Sequence, residues 1–140
     1  MEEIGITVEA IPTADSVDYL EKVMAGKHDM MLSGWIADVM DPADYLEANL
    51  ASNRVPSPGN ISHSSNCGRL ENPEMDRALA TFRSERTTSA LEEVLRLLTE
   101  QAPLVPLAYG PTTAVLSFRV GNFKPSPLSI LPLGALDLAG

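Results

Sequence analysis

The sequence predicts an α/β fold with a small mixed sheet and about four helices. Three observations carry that prediction. Ile4, Ile6 and Val8 alternate with Gly5, Thr7 and Glu9, which is the period of a half-buried strand. Met30 to Trp35 is an apolar run short enough for a second, buried strand. Helix-start signatures recur at Asp15-Ser16, Asp41-Pro42, Asn72-Pro73 and Ser89 to Glu92.

In chain order, Pro12 ends the first strand. Asp15 or Ser16 then caps a helix running to about Ala25, with Val17, Leu20 and Met24 on one face. Gly26 stops it, and Lys22 and Lys27 lie near the negative end of its dipole. With Met30 to Trp35 as the next strand, strand, helix and strand read as a βαβ unit with a parallel pair. Asp41 as N-cap and Pro42 at the first helical position open a short helix to Leu50. Ser52 to Leu70 is a long loop rich in Ser, Asn, Gly and Pro, a length that usually serves a function.

Asn72-Pro73-Glu74 starts the third helix, whose inner line is Met75, Leu79 and Phe82. Ser89-Ala90-Leu91-Glu92 reads as a capping box for the fourth, with Leu91, Leu95 and Leu98 as its stripe and Glu92 and Arg96 as an i,i+4 pair. That helix must end before Pro103. Leu104 to Tyr109 and Thr113 to Phe118 are strand-like and flank a turn at Gly110-Pro111. The tail from Asn122 has no clear period.

At 140 residues the chain has room for one core, and 44% apolar content is ordinary for a globular protein. A net charge of -9 argues against nucleic acid as a partner of this domain, because phosphate neutralisation needs basic patches. Cys67 is the single cysteine, so no intrachain disulfide forms. No apolar run approaches the roughly 20 residues of a membrane-spanning helix. The acidic Met-Glu-Glu start lacks the pattern of a signal peptide, which fits a cytosolic protein or an excised piece of a longer one.

Catalytic constellations are missing from the pattern. His28 and His63 lie far apart and outside metal-ligand spacing, and the sequence shows no phosphate-binding glycine loop and no GxSxG. Neither an enzyme activity nor a metal or cofactor is expected. Cys67 has no local helix start or basic pair to favour a thiolate, so a free thiol without an essential role is expected. Asp41 is explained as a helix cap. Asp38 has no such explanation. It follows a strand end, beside Trp35 and Ala37, where α/β folds expose ligand-contacting groups. It is either a solvated loop carboxylate or an anchor for a cationic group with Trp35 as an apolar wall.

The stretch GKHDMMLSGWIADVMDPADYLEANL resembles a segment of the family 5 extracellular solute-binding proteins, the dipeptide- and oligopeptide-binding proteins of ABC importers. Further similarities follow in order: Asn66 to Asp76, Ala102 to Tyr109, Val120 to Phe123 and Pro127-Leu128. The likeness extends from about Ile4 to Leu138. Cys67 and Leu70 stand where that family carries aromatics, Ala108 replaces one of two tyrosines, and the loop from Asn53 to Ser65 fits no family pattern.

The resemblance implies a fragment of the second lobe of a two-lobed periplasmic-binding-protein fold. Residues 1–120 would form the C-terminal part of that ligand-binding lobe, and 121–140 a tail returning toward the first. It implies non-catalytic binding of short peptides, outside the cytoplasm, for delivery to an ABC permease through the full-length protein. Trp35, Ala37 and Asp38 carry the ligand-binding motif, in which the aspartate holds the peptide's α-ammonium group. An acid at this place disfavours nickel as the ligand. A second reading is a sensor, the same lobe fused to a transcription regulator or a kinase. The apolar tail from Leu128 to Leu138 is expected to self-associate when uncovered.

Overall fold

The computed structural model describes residues 2–57, 64–111, 113–126, 128 and 136–138. Four α-helices organise them: α1 (Ser16–Met24), α2 (Pro42–Leu50), α3 (Pro73–Glu85) and α4 (Thr88–Gln101). Short 3-10 turns lie at Glu2–Ile4 and Ser52–Arg54. Among the described residues the only sheet is an antiparallel ladder of β1 (Val120–Gly121) and β2 (Asp137–Leu138), pairing Val120 with Leu138 and Gly121 with Asp137.

Three helix starts form where local chemistry places them. The Asp15 carboxylate accepts the N–H groups of Val17 and Asp18, both at 2.9 Å. Asp41 accepts from Ala43 ahead of Pro42, and Asn72 accepts from Glu74 and Met75 ahead of Pro73. Each satisfies donors that the first helical turn leaves unpaired. The C-terminus of α1 closes as a Schellman turn, with Gly26 N–H on the Val23 carbonyl and Lys27 N–H on that of Lys22, both at 3.0 Å. Gly26 takes φ +67°, the left-handed conformation that the turn requires.

The start of α4 differs from the sequence expectation. The N-cap is Thr87, whose Oγ1 accepts Ala90 N–H at 3.3 Å, not Ser89. The buried face is Ala90, Val94 and Leu97; Leu95 is exposed, and Leu91 and Leu98 sit at the edge. Arg96 pairs with Glu93 and Glu100, at 2.7 and 2.6 Å, rather than with Glu92. The helix ends before Pro103 as expected, with Ala102 in the left-handed region at φ +43°.

The core lies between α2, α3 and α4. It joins Ala43, Leu46 and Leu50 to Met75, Ala78, Leu79 and Phe82 and to Ala90, Val94 and Leu97. Fully burying a Leu, Met or Val contributes about 1.5–3 kcal/mol, and Leu50, Met75, Val94 and Leu97 are almost wholly enclosed. Met75, Leu79 and Phe82 are buried as their spacing predicts. On α1 the outcome is reversed. Val17 and Leu20 are exposed, and Val23 is the buried residue.

The strands read from residues 4–8, 30–35, 104–109 and 113–118 do not form among the described residues, nor does the parallel pair of a βαβ unit. Ile6, Val8, Met30, Leu32, Val105, Leu107, Val115 and Phe118 all face solvent. Alternation supplies a stripe for burial, but a strand also needs a neighbouring strand for every second backbone group. No described segment provides one.

Candidate functional site

The segment from Trp35 to Asp44 is built around the start of α2. Three carboxylates stand there at spacing three, and the structure separates them by what they hold. Asp41 caps α2 and also takes an ion pair from Arg86 at the end of α3, with Nη1 2.6 and 2.5 Å from its two oxygens. Asp44, in the first turn of α2, accepts the Asp38 backbone N–H at 3.1 Å. Asp38 is exposed, and among the described residues its own carboxylate takes no hydrogen bond and no ion pair.

Trp35 leans its ring against Tyr45, edge to face, with centroids 6.3 Å apart and planes at 75°. It stays 38% exposed, enough for one part of the indole to meet a ligand. Ala37 is half-buried between them in sequence. Burial pushes the Tyr45 phenol above its usual pKa, and the nearby Tyr109 adds to that effect. The Arg86 guanidinium, together with Ala43 N–H, lowers the Asp41 carboxyl below its ordinary value. The three residues expected from the sequence thus lie on one segment, and its support is Asp44, Tyr45 and Arg86. Sequence reading missed these three: Arg86 reaches the segment only in the folded chain, and the pattern does not show that Asp44 accepts from Asp38 N–H or that Tyr45 meets Trp35.

Two grooves lie on the helices, the second of them beside the Asp41–Arg86 pair. One of about 350 Å³ runs between α2 and α3 past Glu47, Asp76 and Arg83, and one of about 290 Å³ past Asp41, Phe82 and Leu91. Neither is lined by Trp35, Ala37 or Asp38. Among the described residues no cluster of His, Cys, Asp and Glu has the geometry to hold a metal ion, and no helix is long and apolar enough to cross a membrane.

A second junction fastens α1 to the helical core. His28 Nε2 lies 3.2 Å from the Cys67 carbonyl oxygen. Arg69 donates to the Met24 carbonyl at 2.9 Å and to that of Pro56 at 3.3 Å. Asn66 is fully buried; its amide donates to the carbonyls of Ala51 and Leu70 and its oxygen accepts Leu70 N–H. The Cys67 thiol is free and half-buried, and burial raises its pKa, against a smaller opposing effect of Arg69. That agrees with an unreactive thiol. Residues 58–63 of the loop from Asn53 to Ser65, His63 among them, and Ile130, Leu131 and Leu133 of the expected self-association surface lie outside the described residues.

The chain is similar to several curated peptide-transport and binding proteins. It is 26% identical over 144 residues to the peptide transport periplasmic protein SapA of Salmonella typhimurium, covering 100% of this chain and 24% of that protein. It is 29% identical to di/tripeptide-binding protein 2 of Pseudomonas aeruginosa, over 90% of this chain and 23% of that protein. Heme-binding protein A of Haemophilus influenzae is 28% identical over 89% of this chain and 22% of its own length. The chain therefore spans about a quarter of the length of the curated relatives it matches. No family model matches, and no solved structure matches. The resemblance to family 5 solute-binding proteins is borne out: these relatives are named as peptide-transport or binding proteins, and SapA of Escherichia coli, 24% identical over 100% of this chain and 24% of its own length, as a probable ABC transporter periplasmic-binding protein.

Proposed function

We propose that this chain is part of the ligand-binding lobe of an extracytoplasmic, two-lobed solute-binding protein, and that it presents Asp38 to the α-ammonium group of a short peptide destined for an ABC permease. The single observation that carries this reading is the state of the three carboxylates. Asp41 and Asp44 are committed to Arg86 and to backbone N–H groups, while Asp38 is left uncommitted three residues from a half-exposed indole. A free carboxylate on the same short segment as an exposed aromatic ring suits a cation carried on an apolar body. The names of the SapA and di/tripeptide-binding relatives support a peptide as that body.

The exposed apolar segments around 4–11, 30–36 and 104–118 support a place within a larger lobe, where the rest of a protein four times this length would cover them. The reading is tested by titrating the full-length protein with free and N-acetylated di- and tripeptides. Acetylation removes the ammonium charge and should weaken binding by about thirtyfold or more. Equal affinity for both, or selective binding of haem over peptides, would overturn it.

A further inference from the structure

We propose that Asp44 is a positioning residue that sets the Asp38 carboxylate for its ligand. This inference rests on the reading of Asp38 as the ammonium anchor. Asp44 occupies the third helical position of α2, where an acidic side chain ordinarily folds back to the N-cap N–H. Helix α1 shows the local form of that habit: Asp18, at the equivalent position, reaches Ala14 N–H at 3.0 Å, one residue before the cap. In α2 the carboxylate reaches further. Asp44 Oδ2 accepts from Asp38 N–H, three residues ahead of the Asp41 cap.

The connection into α2 is consequently held at three points. Trp35 rests on Tyr45, the residue next to Asp44. The Asp38 backbone is tied to Asp44 itself. Asp41 is fixed to Arg86, which also lies over the Phe82 ring at 5.7 Å from its centroid. Neighbouring residues on one helical turn therefore hold both the aromatic wall and the backbone of the anchor, and they leave the Asp38 carboxylate itself free. A carboxylate held in place before the ligand arrives loses less freedom on binding, which is how rigid support raises affinity.

The test uses the full-length protein and the ratio of its affinities for free and N-acetylated dipeptides. Asp44→Ala should lower that ratio at least fivefold. Asp44→Asn keeps an oxygen that accepts the Asp38 N–H and should stay within about twofold of wild type. In an Asp38→Asn background, Asp44→Ala should cause no further loss, because a residue acting through Asp38 has nothing left to position. A wild-type ratio in Asp44→Ala would overturn the inference alone. So would an Asp44→Asn variant that loses as much as Asp44→Ala, or full additivity with Asp38→Asn. If the wild-type protein itself shows no preference for the free peptide, the anchor reading fails and takes this inference with it.

Discussion

Arg86 reaches across 45 residues of sequence to Asp41, and its Nη1 lies 2.6 and 2.5 Å from the two carboxylate oxygens. The contact closes the start of α2 onto the end of α3. It gives one side chain two duties, because Asp41 also caps α2.

The first prediction concerns acid stability. The ion pair and the cap depress the Asp41 pKa in the folded state. Both states are ionised well above the ordinary carboxylate value of about 4, so the contribution is fully present there. As pH falls through that value the unfolded state binds its proton first, and stability is lost until the folded carboxyl is protonated too. Asp41→Asn keeps the cap and removes the titration. Its stability should fall less steeply than wild type below about pH 4, as read by urea midpoints across a pH series. Parallel curves for the two proteins would refute this.

A second prediction separates the aspartates by binding. Asp38→Asn in the full-length protein should weaken free-peptide binding by about thirtyfold or more, since removing one partner of a desolvated charge pair costs roughly 2–5 kcal/mol. Asp41→Asn should leave binding within about twofold, because Asn caps helices as well as Asp. Calorimetry with one dipeptide checks both. The reverse order of effects would move the anchor from Asp38 to Asp41.

Asn66 should be intolerant of change. Its amide is wholly buried and serves the Ala51 and Leu70 carbonyls and the Leu70 N–H. Asn66→Ala leaves these backbone groups without partners, and one such buried group costs about 1–3 kcal/mol. A loss of about 3 kcal/mol is expected from denaturant unfolding, and Asn66→Asp should fare no better because its carboxylate cannot donate to the two carbonyls. A loss below about 1 kcal/mol would mean that water replaces the amide.

Two backbone substitutions should act in opposite directions at one junction. Ala102 ends α4 at φ +43°, and the chain turns there to set Pro103 against Gly68. A Cβ at Gly68 would lie 2.7 Å from the Pro103 carbonyl oxygen, so Gly68→Ala should destabilise by about 1–3 kcal/mol. Ala102→Gly relieves a left-handed alanine and should stabilise by about 0.5–1 kcal/mol. Thermal unfolding of the pair checks the signs.

The helix starts at Asp15, Asp41-Pro42 and Asn72-Pro73 were legible in the sequence, and so were the stop before Pro103 and the buried line Met75, Leu79 and Phe82. The physical reason is range: a cap bonds to residues two or three positions away, and a helix satisfies its own backbone. For α4, the capping-box pattern at Ser89 misplaced the start, which the structure puts at Thr87. Only packing chose the face with Val94 and Leu97. The alternating segments at 4–8, 30–35, 104–109 and 113–118 announced apolar stripes but not strands, because a strand depends on partners far away in sequence. The sequence singled out Trp35, Ala37 and Asp38 without saying what supports them. The hold of Asp44 on Asp38 and of Tyr45 on Trp35 was decided by how the connection folds back onto α2, and that of Arg86 on Asp41 by where the end of α3 comes to rest.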